Sequence, residues 1–83
     1  MFNLGRKRNI VVMDGTDKGK LNAIVSIVRM MAGENSVKDL HRLDDNHQSM
    51  MVMKVKTTKS RFEDIEDVIS NTLPGLCNFN VPL

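Results

Sequence analysis

The chain has no tryptophan, no tyrosine, three phenylalanines and one cysteine, Cys77, in 83 residues. A lone thiol rules out a disulfide within the chain, so a small fold gets no covalent support. No apolar stretch approaches the about 18 residues of a membrane-spanning helix. The apolar run Ile10 to Met13 behind Arg6-Lys7-Arg8 is too short for a secretory leader. The expectation is a cytoplasmic chain with no membrane partner. Charge of one sign is not in excess either: Lys and Arg total 12, Asp and Glu 10, and the two kinds are interspersed, which implies no polyelectrolyte partner.

A chain of this length makes one domain, and folding buries only about 60–65% of the surface that the unfolded chain exposes. That margin is thin and favours a partner subunit. The core has to be built without Trp or Tyr, and the chain has seven methionines. Methionine is flexible and polarizable, which also suits it to adaptable contact surfaces.

Met1 to Arg8 lacks periodicity and reads as a flexible basic lead-in, leaving 9–83 as a single domain. Ile10, Val11, Val12 and Met13 follow in succession, the mark of a strand covered on both faces. The turn Asp14 to Gly19 comes next. Leu21, Ile24, Val25, Val28 and Met31 then fall at helical steps, with Gly33 as the C-terminal cap. Residues 36–43 suit either a short helix or an irregular edge strand. The strand is preferred, because Asp44-Asp45-Asn46-His47 is turn chemistry and Met50 to Lys56 is a strong strand, so the pair makes a hairpin. In that second strand Met51, Met53 and Val55 share one face, and Met50, Val52, Lys54 and Lys56 the other. Ser60-Arg-Phe-Glu63 reads as a capping box for a second helix with an apolar stripe of Phe62, Ile65, Val68, Ile69 and Leu73, stopped by Pro74-Gly75. Leu76 to Val81 alternates as a half-exposed edge strand with Cys77, Phe79 and Val81 inward.

The order β-α-β-β-α-β predicts an α+β, ferredoxin-like sandwich, in which a four-stranded antiparallel sheet carries two helices on one face. That topology places the first and third strands centrally, where the doubly apolar segments lie. Val11, Met13, Met50 and Val52 would then line the open face, and this patch predicts a sheet-to-sheet homodimer. RNA-binding modules of the same topology stack bases on aromatics of that face, and the two central segments contain none. Nucleic acid is therefore not expected as a partner. Arg6, Lys7, Arg8, Lys54, Lys56 and Lys59 would at most meet phosphates nonspecifically.

The turn Asp14-Gly15-Thr16-Asp17-Lys18-Gly19-Lys20 hands a central strand to a helix, where backbone amides and the helix dipole favour carboxylates or phosphates. It is neither a Walker loop nor a dinucleotide fingerprint. Asp17-Lys18-Gly19-Lys20-Leu21-Asn22-Ala23-Ile24, after the strand, resembles the start of an ACT domain, and Gly33 to Leu40 continues the likeness. The proline such domains carry here, between Lys18 and Gly19, is absent. The resemblance implies a sheet-paired regulatory domain binding an amino acid or similar effector at this turn, near Asp17, Lys18, Gly19 and Lys20. The expectation built on it is that the ordering caused by the effector is passed to a partner protein.

Met13 to Thr16, Val37 to Leu43 and Leu73 to Leu76 also resemble stretches of the cytoplasmic domain of cation-diffusion-facilitator transporters. That likeness implies divalent-metal binding, with His41 the residue that carries over. His41, Asp44, Asp45 and His47, with Cys77, supply imidazole, carboxylate and thiol ligands suited to zinc, so a zinc-responsive dimer is the alternative. A ligand-free protein-interaction module is a third reading. No enzyme is expected: Cys77 falls on an inward face, and Glu63, Asp64, Glu66 and Asp67 occupy the solvated side of a helix. Otherwise no cofactor is expected.

Overall fold

Ile10, Val11 and Val12 are all buried, which a strand achieves only with both faces covered, and they end β1 (Arg6–Val12) in the computed structural model. The structure describes residues 5–14, 17–45 and 48–82, with the backbone alone at Asp45 and Gln48. After β1 come α1 (Lys18–Ala32), β2 (Val37–Asp45), β3 (Gln48–Thr57), α2 (Lys59–Thr72) and β4 (Cys77–Phe79). The sheet runs β2-β3-β1-β4, antiparallel throughout, so the ferredoxin-like arrangement and its two central strands are as the sequence indicates. No helix among the described residues is long and apolar enough to cross a membrane.

One face of the sheet meets both helices. Ile10 and Val12 of β1 and Met53 and Val55 of β3 pack against Ile24 and Val28 of α1 and against Phe62, Ile65 and Ile69 of α2. Phe62 also meets Phe79 of β4 edge to face, with ring centroids 6.2 Å apart, which ties the short strand to the second helix. Deleting side-chain volume here costs transfer energy and leaves a cavity, about 2–5 kcal/mol for an isoleucine cut to alanine.

Several boundaries differ from the sequence reading. β1 starts at Arg6, so Arg6, Lys7 and Arg8 belong to the sheet opposite Thr57, Lys56 and Val55 rather than to a free lead-in. Gly5 makes this entry feasible: it adopts φ 97°, and a Cβ there would lie 2.1 Å from the Thr57 carbonyl. Residues 37–45 form the irregular edge strand, with a register shift between Val37 and Asp39. β4 is shorter than the alternation implies, because Asn80 turns into the left-handed region at φ 53° and takes Val81 out of the ladder. Asn9 then holds Val81 through its side-chain amide, accepting from the Val81 N–H at 2.7 Å and donating to its C=O at 2.6 Å.

The second helix has a different cap. Thr58, not Ser60, is its N-cap, and the Thr58 hydroxyl accepts the Arg61 N–H at 3.2 Å. Val68 is 39% exposed and lies outside the buried stripe that it was expected to join. The two caps are distinguishable by chemical denaturation: Thr58→Ala should cost about 1 kcal/mol, in line with other N-cap losses, whereas Ser60→Ala should cost a few tenths at most. Equal losses, or a larger loss at Ser60, would restore the capping box.

Candidate functional site

The ends of β1 and α2 fall at the same edge of the sheet, because β4 runs antiparallel to β1 and starts beside its C-terminal end. The Met13 N–H donates to the Leu76 carbonyl at 2.8 Å and joins the two loops. Between them is a cleft of about 340 Å³ lined by Lys20 and by Thr72, Leu73, Pro74, Gly75 and Leu76. Of the described residues expected to hold a ligand, only Lys20 lines it. Asp14 is exposed, and Gly15 and Thr16 lie outside the described residues. Lys18, Gly19 and Lys20 form the exposed first turn of α1.

Asp17 has a structural role here. It is the N-cap of α1, and its Oδ1 accepts the Lys20 N–H at 3.1 Å. The Lys20 ammonium lies 3.8 Å from its other oxygen. A carboxylate of the chain itself thus occupies part of the helix's positive end, and the half-exposed Lys20 side chain is a cation beside the cleft. Periodicity registered Pro74-Gly75 only as a helix stop. That it walls the cleft follows from topology, which brings the α2–β4 turn against the β1–α1 turn.

The residues considered for metal are spread over both sheet faces. His41 pairs in register with Val52 and projects away from the helices, while Asp44, three positions on, projects to the opposite face. His41 Nδ1 lies 3.2 Å from Asp39 Oδ2. The Asp44 carboxylate accepts from the Ser49 hydroxyl at 2.9 Å and from Arg42 Nε at 3.0 Å, and these bonds hold its carboxyl below the usual range. His47 and the side chain of Asp45 lie outside the described residues. Among the described residues no three His, Cys, Asp or Glu side chains come together as a metal site.

The open face is less open than the apolar pattern implies. Val52 is 0% exposed and Val11 4%, although both point away from the helices. They face each other in register, flanked by His41 and Asn78 across the sheet and by Lys54, Met50 and Met13 along it, all longer side chains. The Asn78 side-chain amide donates to the Met13 sulfur at 3.2 Å, so Met13 leans towards β4 beside Val11. What remains accessible at that end is Met13, Met50 and its register partner Leu43, which is 39% exposed.

Cys77 is half-buried against the core, and burial pushes its thiol up to about 11 from an ordinary 9.0. A thiol held protonated is a poor nucleophile. The chain matches no known family, no curated protein and no solved structure.

The thiol gives a direct check. At pH 8 the folded chain should react with iodoacetamide about a hundredfold more slowly than a cysteine of ordinary acidity, because a thiol pushed from 9.0 to about 11 holds that much less thiolate. Because the thiol holds its proton more tightly when folded, its contribution to stability is complete below pH 9 and is lost as pH rises towards 11. Melting temperature should fall across that window, and less so in Cys77→Ala. A fast-alkylating thiol would count against this.

Proposed function

We propose that this chain is a small non-catalytic regulatory module that takes an amino acid or similar small anionic effector in the cleft between Lys20 and the Thr72–Leu76 turn. The observation that carries the reading is the cleft itself. At about 340 Å³ it falls within the size range of small-molecule sites, about 300–1,000 Å³, and Lys20 supplies a cation beside an otherwise uncharged lining. The ACT-like turn residues agree with an effector at this end of the sheet, although Lys20 rather than Asp17 is the contact to expect. A single half-buried thiol suits a reducing cytoplasm.

Thermal-shift screening with amino acids and small dicarboxylates tests the cleft. A compound present at 100 times its dissociation constant should stabilise the fold by about 2.7 kcal/mol, and Lys20→Ala should remove most of that shift. A panel with no active compound, or a shift that survives Lys20→Ala unchanged, would reject the site.

The second reading concerns assembly, and Met13, Leu43 and Met50 favour it: they form an accessible apolar group at one end of the open face. Two chains meeting there would cover these side chains, with Val11 and Val52 supporting the contact from beneath. Sedimentation should show a dimer that Met50→Lys dissociates into folded monomer. A wild-type chain that stays monomeric at high concentration would exclude it.

A further inference from the structure

β1 is longer than the strand beside it. It spans Arg6–Val12, yet β4 pairs only with Ile10, Val11 and Val12. The odd-numbered positions turn their backbone groups towards β4: the Met13 N–H donates to Leu76, and the Asn9 carbonyl accepts from the Asn80 N–H at 2.7 Å. Lys7 is next in that series, and no described strand runs beside its outward N–H and C=O. The reason is local. The left-handed turn at Asn80 and the two bonds from the Asn9 side chain draw Val81 towards the face opposite Ile10, and Pro82 has no N–H to offer. The chain's own fourth strand is thereby kept off this stretch of edge.

Cations stand on both sides of the same stretch. Arg6 and Arg8 share the helix side of β1 with Ile10, and there they line a cleft of about 230 Å³ together with Lys59, Phe62, Glu63 and Glu66. Arg8 is held in place by donating from Nη1 to the Thr57 carbonyl at 2.8 Å. On the other face Lys7 lies directly opposite Lys56, a like-charge pair that is unfavourable in an antiparallel ladder. The next cation on that face, Lys54, faces Asp39 in register, but among the described residues no carboxylate pairs in register with Lys7 or Lys56.

We propose that the free edge of β1 at Arg6–Arg8 is a docking site for an extended acidic peptide, added as a strand beside Lys7. A strand sends successive side chains to opposite faces. Carboxylates on such a peptide would therefore alternate between Arg6, Arg8 and Lys59 on one side and Lys7 and Lys56 on the other, while its backbone pairs with the Lys7 N–H and C=O. That pairing distinguishes a peptide from a nucleic acid, which would use the cations but not the strand edge. The site lies at the opposite end of β1 from the Lys20 cleft and does not depend on it.

The test is fluorescence anisotropy on the full chain with a short, capped, labelled peptide of glutamate and valine. It is compared with the same peptide N-methylated at alternate residues and with a single-stranded DNA oligonucleotide of equal charge. The peptide should bind, and N-methylation should weaken it about tenfold, as expected when strand hydrogen bonds are lost. Arg6→Glu and Lys7→Glu should each weaken binding about tenfold or more. Lys38→Glu, an equal charge change on the far edge strand, should leave binding near wild type. Amide exchange at Lys7 should slow in the complex. Absence of binding, equal binding of the N-methylated peptide, tighter binding of the oligonucleotide, or indifference to Arg6→Glu would each overturn the proposal.

Discussion

The pairing of β1 with β3 is the constraint on which the rest of the molecule depends. These two strands are the centre of the sheet, and seven consecutive register pairs run from Arg6–Thr57 to Val12–Met51. Ile10 sits opposite Met53 under both helices, and both side chains are fully enclosed. Each helix has its own buried residues, and all of them meet Ile10, Val12, Met53 and Val55 of this shared floor in one continuous core. The edge strands are bonded outward from it, as β2 on β3 and β4 on β1. A chain with no disulfide and little aromatic mass has few other ways to hold two helices in place.

The same pair accounts for the placement of the candidate sites. The C-terminal end of β1 leads into α1 and lies beside the start of β4, so the Lys20 cleft forms where two loops leave the sheet together. The N-terminal end of β1 outruns β4, so among the described residues no strand accompanies its backbone groups and cations there. Site chemistry therefore follows from how far each outer strand accompanies the central pair.

Much of this was legible in the residues. Unbroken apolar runs at Ile10 to Met13 and Met50 to Met53 mark strands covered on both faces, and helical spacing of Ile24 and Val28 marks the buried side of α1. Other features depend on neighbours distant in the chain. Nothing in Arg6-Lys7-Arg8 signals a strand, since its pairing is imposed by Thr57, Lys56 and Val55. Ser60, followed by Glu63, is the better capping signal in sequence, yet the helix starts two residues earlier and Thr58 takes the cap. The burial of Val11 and Val52 is set by the length of the side chains around them, which a two-residue period cannot express. The walls of the Lys20 cleft come from Leu73, Pro74 and Gly75, about fifty residues away in sequence, and become visible once the strand order is known.

The Asn9 side chain has a bearing on β4 that goes beyond holding Val81. A strand of three residues specifies its alignment weakly, because a slip by two positions would keep alternate side chains on their proper faces. Asn9 removes that freedom. Its amide meets both the N–H and the C=O of Val81, two bonds that a slip of β4 against β1 has to break. A slipped strand would lose both bonds together and would carry Phe79 away from Phe62. One short polar side chain thus acts as a register lock, giving a minimal strand the definition that a longer one would draw from its own ladder.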